Sequence, residues 1–244
     1  MYLTQQQIRF FRDTGYLKLD EKMPTEDIER MRGVILQHID ERIPPFKLDS
    51  SGSINRLDQV ITRDSVFKNV FCSPLILNPL VSLLGPNIEL VLNRHNHATV
   101  NSHGNTKFRL HRDILQWSRS VVTVIVFLDD ADIDNGCTHL IPGSHFLLFI
   151  GTSNNGGTWM DEYSVYRDLL NQALPIPVSR GGVIMFDSLV FHTIGKNRSD
   201  RTRMSVCLRF RSVDELSGVK NDPKCMLVLG DRIYRGNDKT NGEY

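Results

Sequence analysis

The stretch Gly181–Arg211, GGVIMFDSLVFHTIGKNRSDRTRMSVCLRFR, decides how the rest of the chain is read. A double glycine enters Val183-Ile184-Met185-Phe186, a run with the β-branched and aromatic content of a strand. A second run, Arg203–Arg211, follows after Gly, Asn and Asp have broken the first. Working outward, Ile88–Thr99, Ser120–Leu128, Cys137–Ile141, Ile176–Val178 and Met226–Leu229 share that character. They are short, rich in Val, Ile and Phe, and no long helical pattern lies between them. That excludes a βαβ fold and predicts an antiparallel sandwich or barrel. The expected fold is mainly β: a double-stranded β-helix (jelly-roll, cupin-like) core over 88–244 with helices at its flank.

The first 87 residues predict the helical support. Thr4 caps Gln5–Asp13, Gly15 stops it, and Tyr16-Leu17-Lys18-Leu19 reads as a short strand. Pro24-Thr25 opens a second helix with Ile28, Met31, Ile35 and Ile39 at helical spacing, closed by Pro44-Pro45. A third helix is predicted from Pro74 to Leu84, before Gly85-Pro86. Residues 151–172 interrupt the strands as an insertion, and Trp159, Tyr163 and Tyr166 make it either a lid or an aromatic plug. The whole is read as one domain.

Composition narrows the function. The chain has 244 residues and a formal charge of +1, from 29 Lys and Arg against 28 Asp and Glu. That is no strongly basic nucleic-acid binder. The longest apolar run, Val121–Leu128, is far short of a membrane span. Met1–Arg12 carries no signal-peptide pattern. Cys72, Cys137, Cys207 and Cys225 form no C-x-x-C pair, which points to a reducing, cytoplasmic setting without structural zinc. Oligomeric state is unreadable.

Two of the eight histidines have an acid two residues later: His38-Ile39-Asp40 and His111-Arg112-Asp113. His38 lies in the second helix, where residues two apart diverge, so it is read as a surface helix pair. His111 and Asp113 lie at an extended edge, where i and i+2 share a face and can occupy adjacent positions around an octahedral ion. His192, after the glycine-entered strand and between aromatics, is the natural third ligand of a two-histidine, one-carboxylate triad. Its other reading is a core histidine bonded to backbone. Arg203 and Ser205 share a strand face soon after. An arginine facing into a barrel beside a metal is costly unless an anion neutralises it, and a chelating dicarboxylate would do so.

Taken together these residues resemble the phytanoyl-CoA dioxygenase-like family of iron(II)/2-oxoglutarate oxygenases, which includes ectoine hydroxylase. The resemblance runs from Leu3–Tyr16, similar to the family's helix before a "GY" strand, through His111-Arg112-Asp113 and Trp117. It continues in Asp134-Asn135-Gly136-Cys137 and Ile141-Pro142-Gly143-Ser144-His145, and ends in His192, Asn197-Arg198-Ser199 and Arg203-Met204-Ser205. It implies that His111, Asp113 and His192 bind iron(II) and that Arg203, with Ser205, pairs with the distal carboxylate of 2-oxoglutarate. It also implies that Trp117 and Thr123 line that pocket; a core Trp and a backbone-bonded hydroxyl are the plainer readings. His145 belongs to a structural turn, and Arg198 and Arg201 to the surface. The reaction implied consumes O2 and releases succinate and CO2 as a substrate C–H is oxidised, most simply by hydroxylation. Halogenation is disfavoured, because related halogenases carry a small residue where Asp113 stands.

Substrate contacts are expected from the polar strand Val91–Thr99. One face carries Asn93, His95, His97 and Thr99, the other Arg94, Asn96 and Ala98, and either can be the wet outer side. Arg94, Asn96, Gln116 and His139 are the candidates, pointing to a small polar substrate such as a sugar, an amino acid or a natural-product intermediate. A second metal site at His95, His97 and His103 lacks an acid cluster. The rival functions are a metal-dependent jelly-roll isomerase or lyase, which needs no arginine-paired 2-oxoacid, and a non-catalytic sugar-binding sandwich.

Overall fold

The computed structural model describes residues 1–104, 109–115, 120–147, 159–162, 164–213 and 223–231, with 93, 94, 162 and 165 described by backbone only. Helix α1 (Gln5–Thr14) starts at a reciprocal cap: Gln7 N–H donates to the Thr4 hydroxyl and Thr4 N–H to the Gln7 side chain. Gly15 ends it at φ +79°, a conformation that suits glycine, and the His145 ring lies where a Cβ would stand. Helix α2 (Thr25–Asp40) buries Ile28, Met31 and Ile35. It stops four residues short of the Pro44-Pro45 expected to end it. Helices α3 (Ser65–Phe71), which the apolar periodicity did not reveal, and α4 (Pro74–Leu84) complete the support. No single helix among the described residues is long and apolar enough to cross a membrane.

The strands are β1 (Tyr16–Lys18), β2 (Phe46–Leu48), β3 (Ile54–Asp58), β4 (Ile88–Asn101), β5 (Val121–Phe127), β6 (Thr138–Leu140), β7 (Leu174–Ile176), β8 (Val183–Asp187), β9 (His192–Ile194), β10 (Arg203–Ser212) and β11 (Cys225–Leu229). The main sheet runs β1-β8-β5-β10-β4-β3-β2, with β11 also on β4, and a small sheet runs β7-β6-β9. Every pairing is antiparallel, giving the two-sheet layout of a jelly roll. Residues 1–87 are thus more than a helical prop: β1, β2 and β3 join the main sheet. The strands β2 and β3 are short and carry Lys47, Asn55, Arg56 and Asp58, so alternation alone did not mark them.

Strand β10 separates the two sides of the sheet. Met204, Val206, Leu208 and Phe210 join the large core beneath the helices. On the other face Arg203, Ser205, Cys207, Arg209 and Arg211 are all buried. At the far end of that row, Arg211 Nε and Nη2 donate to Glu89 Oε2 at 3.1 and 3.0 Å. At the near end Ser205 is in register with Thr99, and Cys207 with His97. Between Leu208 and Arg209 the register jumps from Asn96 to Val91, leaving residues 92–95 of β4 without partners on β10. Bulges of this kind redirect side chains, and here the extra residues lead into His95.

Candidate metal centre and anion pocket

Backbone pairing builds the centre. His111 and His192 exchange both backbone hydrogen bonds at 2.9 Å in an isolated antiparallel bridge, so their rings stand side by side with centroids 4.5 Å apart. Asp113 N–H donates to the Ser188 carbonyl at 2.9 Å, which continues the same edge and turns its carboxylate to the same side. Arg112 points the other way. Its guanidinium stacks on Phe191 at 4.1 Å and Nη2 donates to the carbonyls of Ser144 and Leu147 at 2.8 and 2.7 Å.

The ligand atoms of His111, Asp113 and His192 all lie within 4.8 Å of one another. His192 Nδ1 lies 2.9 Å from the Val190 carbonyl, so it carries the proton and donates, leaving Nε2 facing Asp113 Oδ1 at 3.4 Å. His111 Nε2 is 3.8 Å from the same oxygen. The other oxygen, Oδ2, accepts from the Thr123 hydroxyl at 2.7 Å, and that hydroxyl lies 2.8 Å from Ser188 Oγ. Thr123 therefore sits behind Asp113 and braces it. This corrects both expectations for Thr123: it neither lines the co-substrate pocket nor bonds to backbone, because its strand presents it to the back of the carboxylate.

The electrostatics suit a cation. Burial and the neighbouring His192 lower the His111 pKa to about 4, so that ring is neutral at ordinary pH. Burial alone would raise Asp113, but His95 and His192 outweigh it and hold the carboxyl well below its usual range. Burial alone would lower His192, yet Asp113 raises it. The mutual attraction of the pair favours a cation between them, and a metal would compete there with a proton. Two imidazole nitrogens and a carboxylate oxygen converging on one gap fit a first-row divalent ion with open positions.

Beside this gap Arg203 is 1% exposed. Its Nη1 donates to Ser205 Oγ at 3.1 Å, while Nε and Nη2 have no hydrogen-bond partner among the described residues. Burial pushes its pKa down to about 10. A buried guanidinium with two donors unused among the described residues is suited to an anion by its chemistry. Arg203, Ser205, His111 and His192 all line one cavity of about 350 Å³, within the range of small-molecule pockets.

The substrate candidates fare differently. Asn96 is turned to the helix side, where its side-chain oxygen accepts from Ile61 N–H at 3.0 Å, so it does not reach the cavity. The correction is one of parity: His95, His97, Thr99 and Asn101 line the cavity, and Asn96 lies between them. His139 is also absent from the lining, with Nδ1 3.1 Å from the Cys137 carbonyl. Gln116, Trp117, Tyr163 and the Arg94 side chain lie outside the described residues. In the insertion, Trp159 packs on His111 with centroids 4.9 Å apart, and Tyr166 is buried against Phe191. His103 is exposed and reaches the Ser199 carbonyl, and His145 reaches that of Arg12. Arg201 pairs with Asp132 on the surface.

His95, which the sequence placed on one of two possible faces and in a second metal site lacking an acid cluster, lies instead against the His–Asp–His group. Its Nε2 is 2.9 Å from Asp113 Oδ1, the oxygen turned towards the two ligand histidines. The signal available was the alternation of His95, His97 and Thr99, which becomes readable only once one of them is known to point inward.

Residues 11–205 match the family model described as phytanoyl-CoA dioxygenase. The mouse phytanoyl-CoA dioxygenase domain-containing protein 1 is 27% identical over 67% of this chain and 57% of its own length. The chain thus spans little more than half of that relative. Among solved structures, the non-haem alpha-ketoglutarate-dependent carbocyclase SnoK from nogalamycin biosynthesis superposes with a TM-score of 0.72 at 19% identity, over 87% of this chain and 85% of that one. EctD from S. alaskensis with bound Fe gives 0.70 at 16% identity, over 86% and 77%. These likenesses place the fold among the jelly-roll oxygenases, and His111, Asp113 and His192 form a group that could hold a metal ion. Because the matched span takes in the N-terminal support, all three metal-site residues and the buried arginine together, the chain belongs to the phytanoyl-CoA dioxygenase family.

Proposed function

We propose that this chain is an iron(II)/2-oxoglutarate-dependent dioxygenase that hydroxylates an unactivated C–H of a small polar substrate. The observation that carries the reading is Arg203, buried beside the His–Asp–His group with two donors unpartnered among the described residues and Ser205 on the same face. A metal-dependent isomerase or lyase has no use for that guanidinium, whereas a chelating 2-oxoacid satisfies it. When bound, iron(II) with 2-oxoglutarate and O2 supplies the oxidising chemistry, with succinate and CO2 as co-products.

The chain's own residues do the rest. His111, Asp113 and His192 hold the ion by three positions and leave the others open. Thr123 fixes which carboxylate oxygen faces it. Arg203 and Ser205 orient the co-substrate by its far carboxylate, and Phe186 and Trp159 pack against the histidine rings and hold their orientation. Asp113 keeps a ligand where a halogenase needs a vacancy, which favours hydroxylation over halogenation.

Anaerobic addition of iron(II) and then 2-oxoglutarate to the metal-free protein tests this. A visible charge-transfer band that needs both, vanishes in His111→Ala and weakens in Arg203→Ala is expected. A folded protein without the band overturns the oxygenase reading in favour of an isomerase or a binding module.

A further inference from the structure

The cavity that holds the metal centre has a second charged end. Lys47 on β2 and Arg56 on β3 both line it, and they are direct cross-strand partners. Like charges placed opposite each other destabilise a sheet unless something lies between them. Arg56 has an acid of its own, Asp58, whose Oδ1 accepts from Nε at 2.5 Å. Lys47 has no acidic partner among the described residues. The described lining contains Lys47, Arg56 and Arg203. Of the nearby carboxylates, Asp113 belongs to the metal group and Asp58 to Arg56, which leaves Lys47 as the cation at this end without an acid among the described residues. Such a wall focuses positive potential into the cavity and favours an anionic occupant.

Register separates this end from the co-substrate end. Ser205, Thr99, Arg56 and Lys47 form one row across β10, β4, β3 and β2. At about 4.8 Å per strand, Lys47 stands three spacings, roughly 14 Å in backbone terms, from Ser205. Arg203 is sealed at one end, and Lys47 is exposed at the mouth. The two cationic groups therefore stand at opposite ends of the cavity.

We infer that the substrate is a small organic anion whose carboxylate or phosphate docks between Lys47 and Arg56 at the cavity mouth, with the carbon to be oxidised directed inward to the His–Asp–His group. This deepens the proposed function and rests on it. It narrows a polar substrate to an acidic one.

The test uses matched probe pairs on the nickel(II)/2-oxoglutarate complex, which binds without turning over: hexanoate against hexanamide, and glycerol 3-phosphate against glycerol, by calorimetry. The anionic member of at least one pair is expected to bind about tenfold more tightly or better. Which pair responds tells carboxylate from phosphate. Lys47→Gln should reduce that preference and Lys47→Glu abolish it, with 2-oxoglutarate affinity unchanged in both. Absence of a preference at millimolar probe, or one that survives Lys47→Glu, overturns the inference. Should the wild type fail to take up nickel or 2-oxoglutarate, the oxygenase reading falls separately. The same pairs on the metal-free chain then decide the subsite, since a preference that persists in Lys47→Glu belongs to Arg203.

Discussion

The chain writes one three-residue pattern twice, and its two copies end in opposite circumstances. His38-Ile39-Asp40 lies at the end of α2, where His38 Nδ1 meets Arg63 Nη1 at 3.0 Å and Asp40 is exposed. His111-Arg112-Asp113 lies on an extended edge, paired to His192 and Ser188, and its two ligand atoms join those of a third residue in one cluster. On a helix, successive side chains turn about 100°, so i and i+2 diverge; on a strand they return to one side. Chemistry-bearing residues become a site only when the backbone aims them. The second copy also has what the first lacks, a brace behind the carboxylate and a buried cation across the cavity.

Removal of the ligands breaks the contrast most sharply. His111→Ala, Asp113→Ala and His192→Ala should each weaken iron(II) or cobalt(II) binding by about 100-fold or more, while His38→Ala and Asp40→Ala leave it unchanged. A metal titration followed by absorbance checks this, and an equal loss at His38 would dissolve the distinction.

The next effect belongs to Arg203. Arg203→Ala should weaken 2-oxoglutarate binding on the order of 100-fold with metal affinity intact, because a buried charge pair is lost. Without 2-oxoglutarate, Arg203→Met should raise the melting temperature, since a desolvated guanidinium gives way to an apolar chain. A fall instead would mean that the arginine is a structural element like Arg63, whose guanidinium is spent on the Ile43 and Pro45 carbonyls.

A smaller loss is expected behind the carboxylate. Thr123→Val removes the donor to Asp113 Oδ2 and should cost about tenfold in metal affinity, with Thr123→Ser largely restoring it. Arg63→Ala, the corresponding neighbour of His38, should cost none.

The mildest effect is that of pH. Asp113 raises His192 above its ordinary value in the metal-free protein, and that proton must leave before Nε2 can bind an ion. Metal affinity should therefore be level above the raised His192 value and fall up to tenfold per pH unit below it. His111, lowered to about 4, adds to the slope only near that pH. Competition titrations with a chelator at several pH values measure the slope, and a flat profile would remove His192 from the ligand set.

Local signals made much of this visible in advance. The Thr4 cap, the Gly15 stop, the Pro74 start and the Val- and Ile-rich strands act over a few residues, and each stands within a few residues of its predicted place. The pattern failed where an element is too short or too charged to show a period. Ile54–Asp58 becomes a strand because β4 offers it an edge, Phe46–Leu48 because Ile54–Asp58 offers the next, and His192–Ile194 because β6 and His111 pair with it. Asn96 and His95 illustrate the remaining difficulty. An alternating strand states that its faces differ but not which is inside, and residues 92–95 of β4, which have no partner on β10, interrupt the count along it.

By itself, then, the order of residues determined the fold class, the His–x–Asp that could grip an ion and the arginine that would need an anion. All of these follow from composition, periodicity and the cost of burying charge. Only the tertiary structure decided which strand face meets the His–Asp–His group, that Thr123 stands behind Asp113, that His95 reaches its oxygen, and that Lys47 and Arg56 line the mouth of the cavity. Those outcomes depend on pairings between strands far apart in the chain, and no local pattern encodes a register that a distant partner sets.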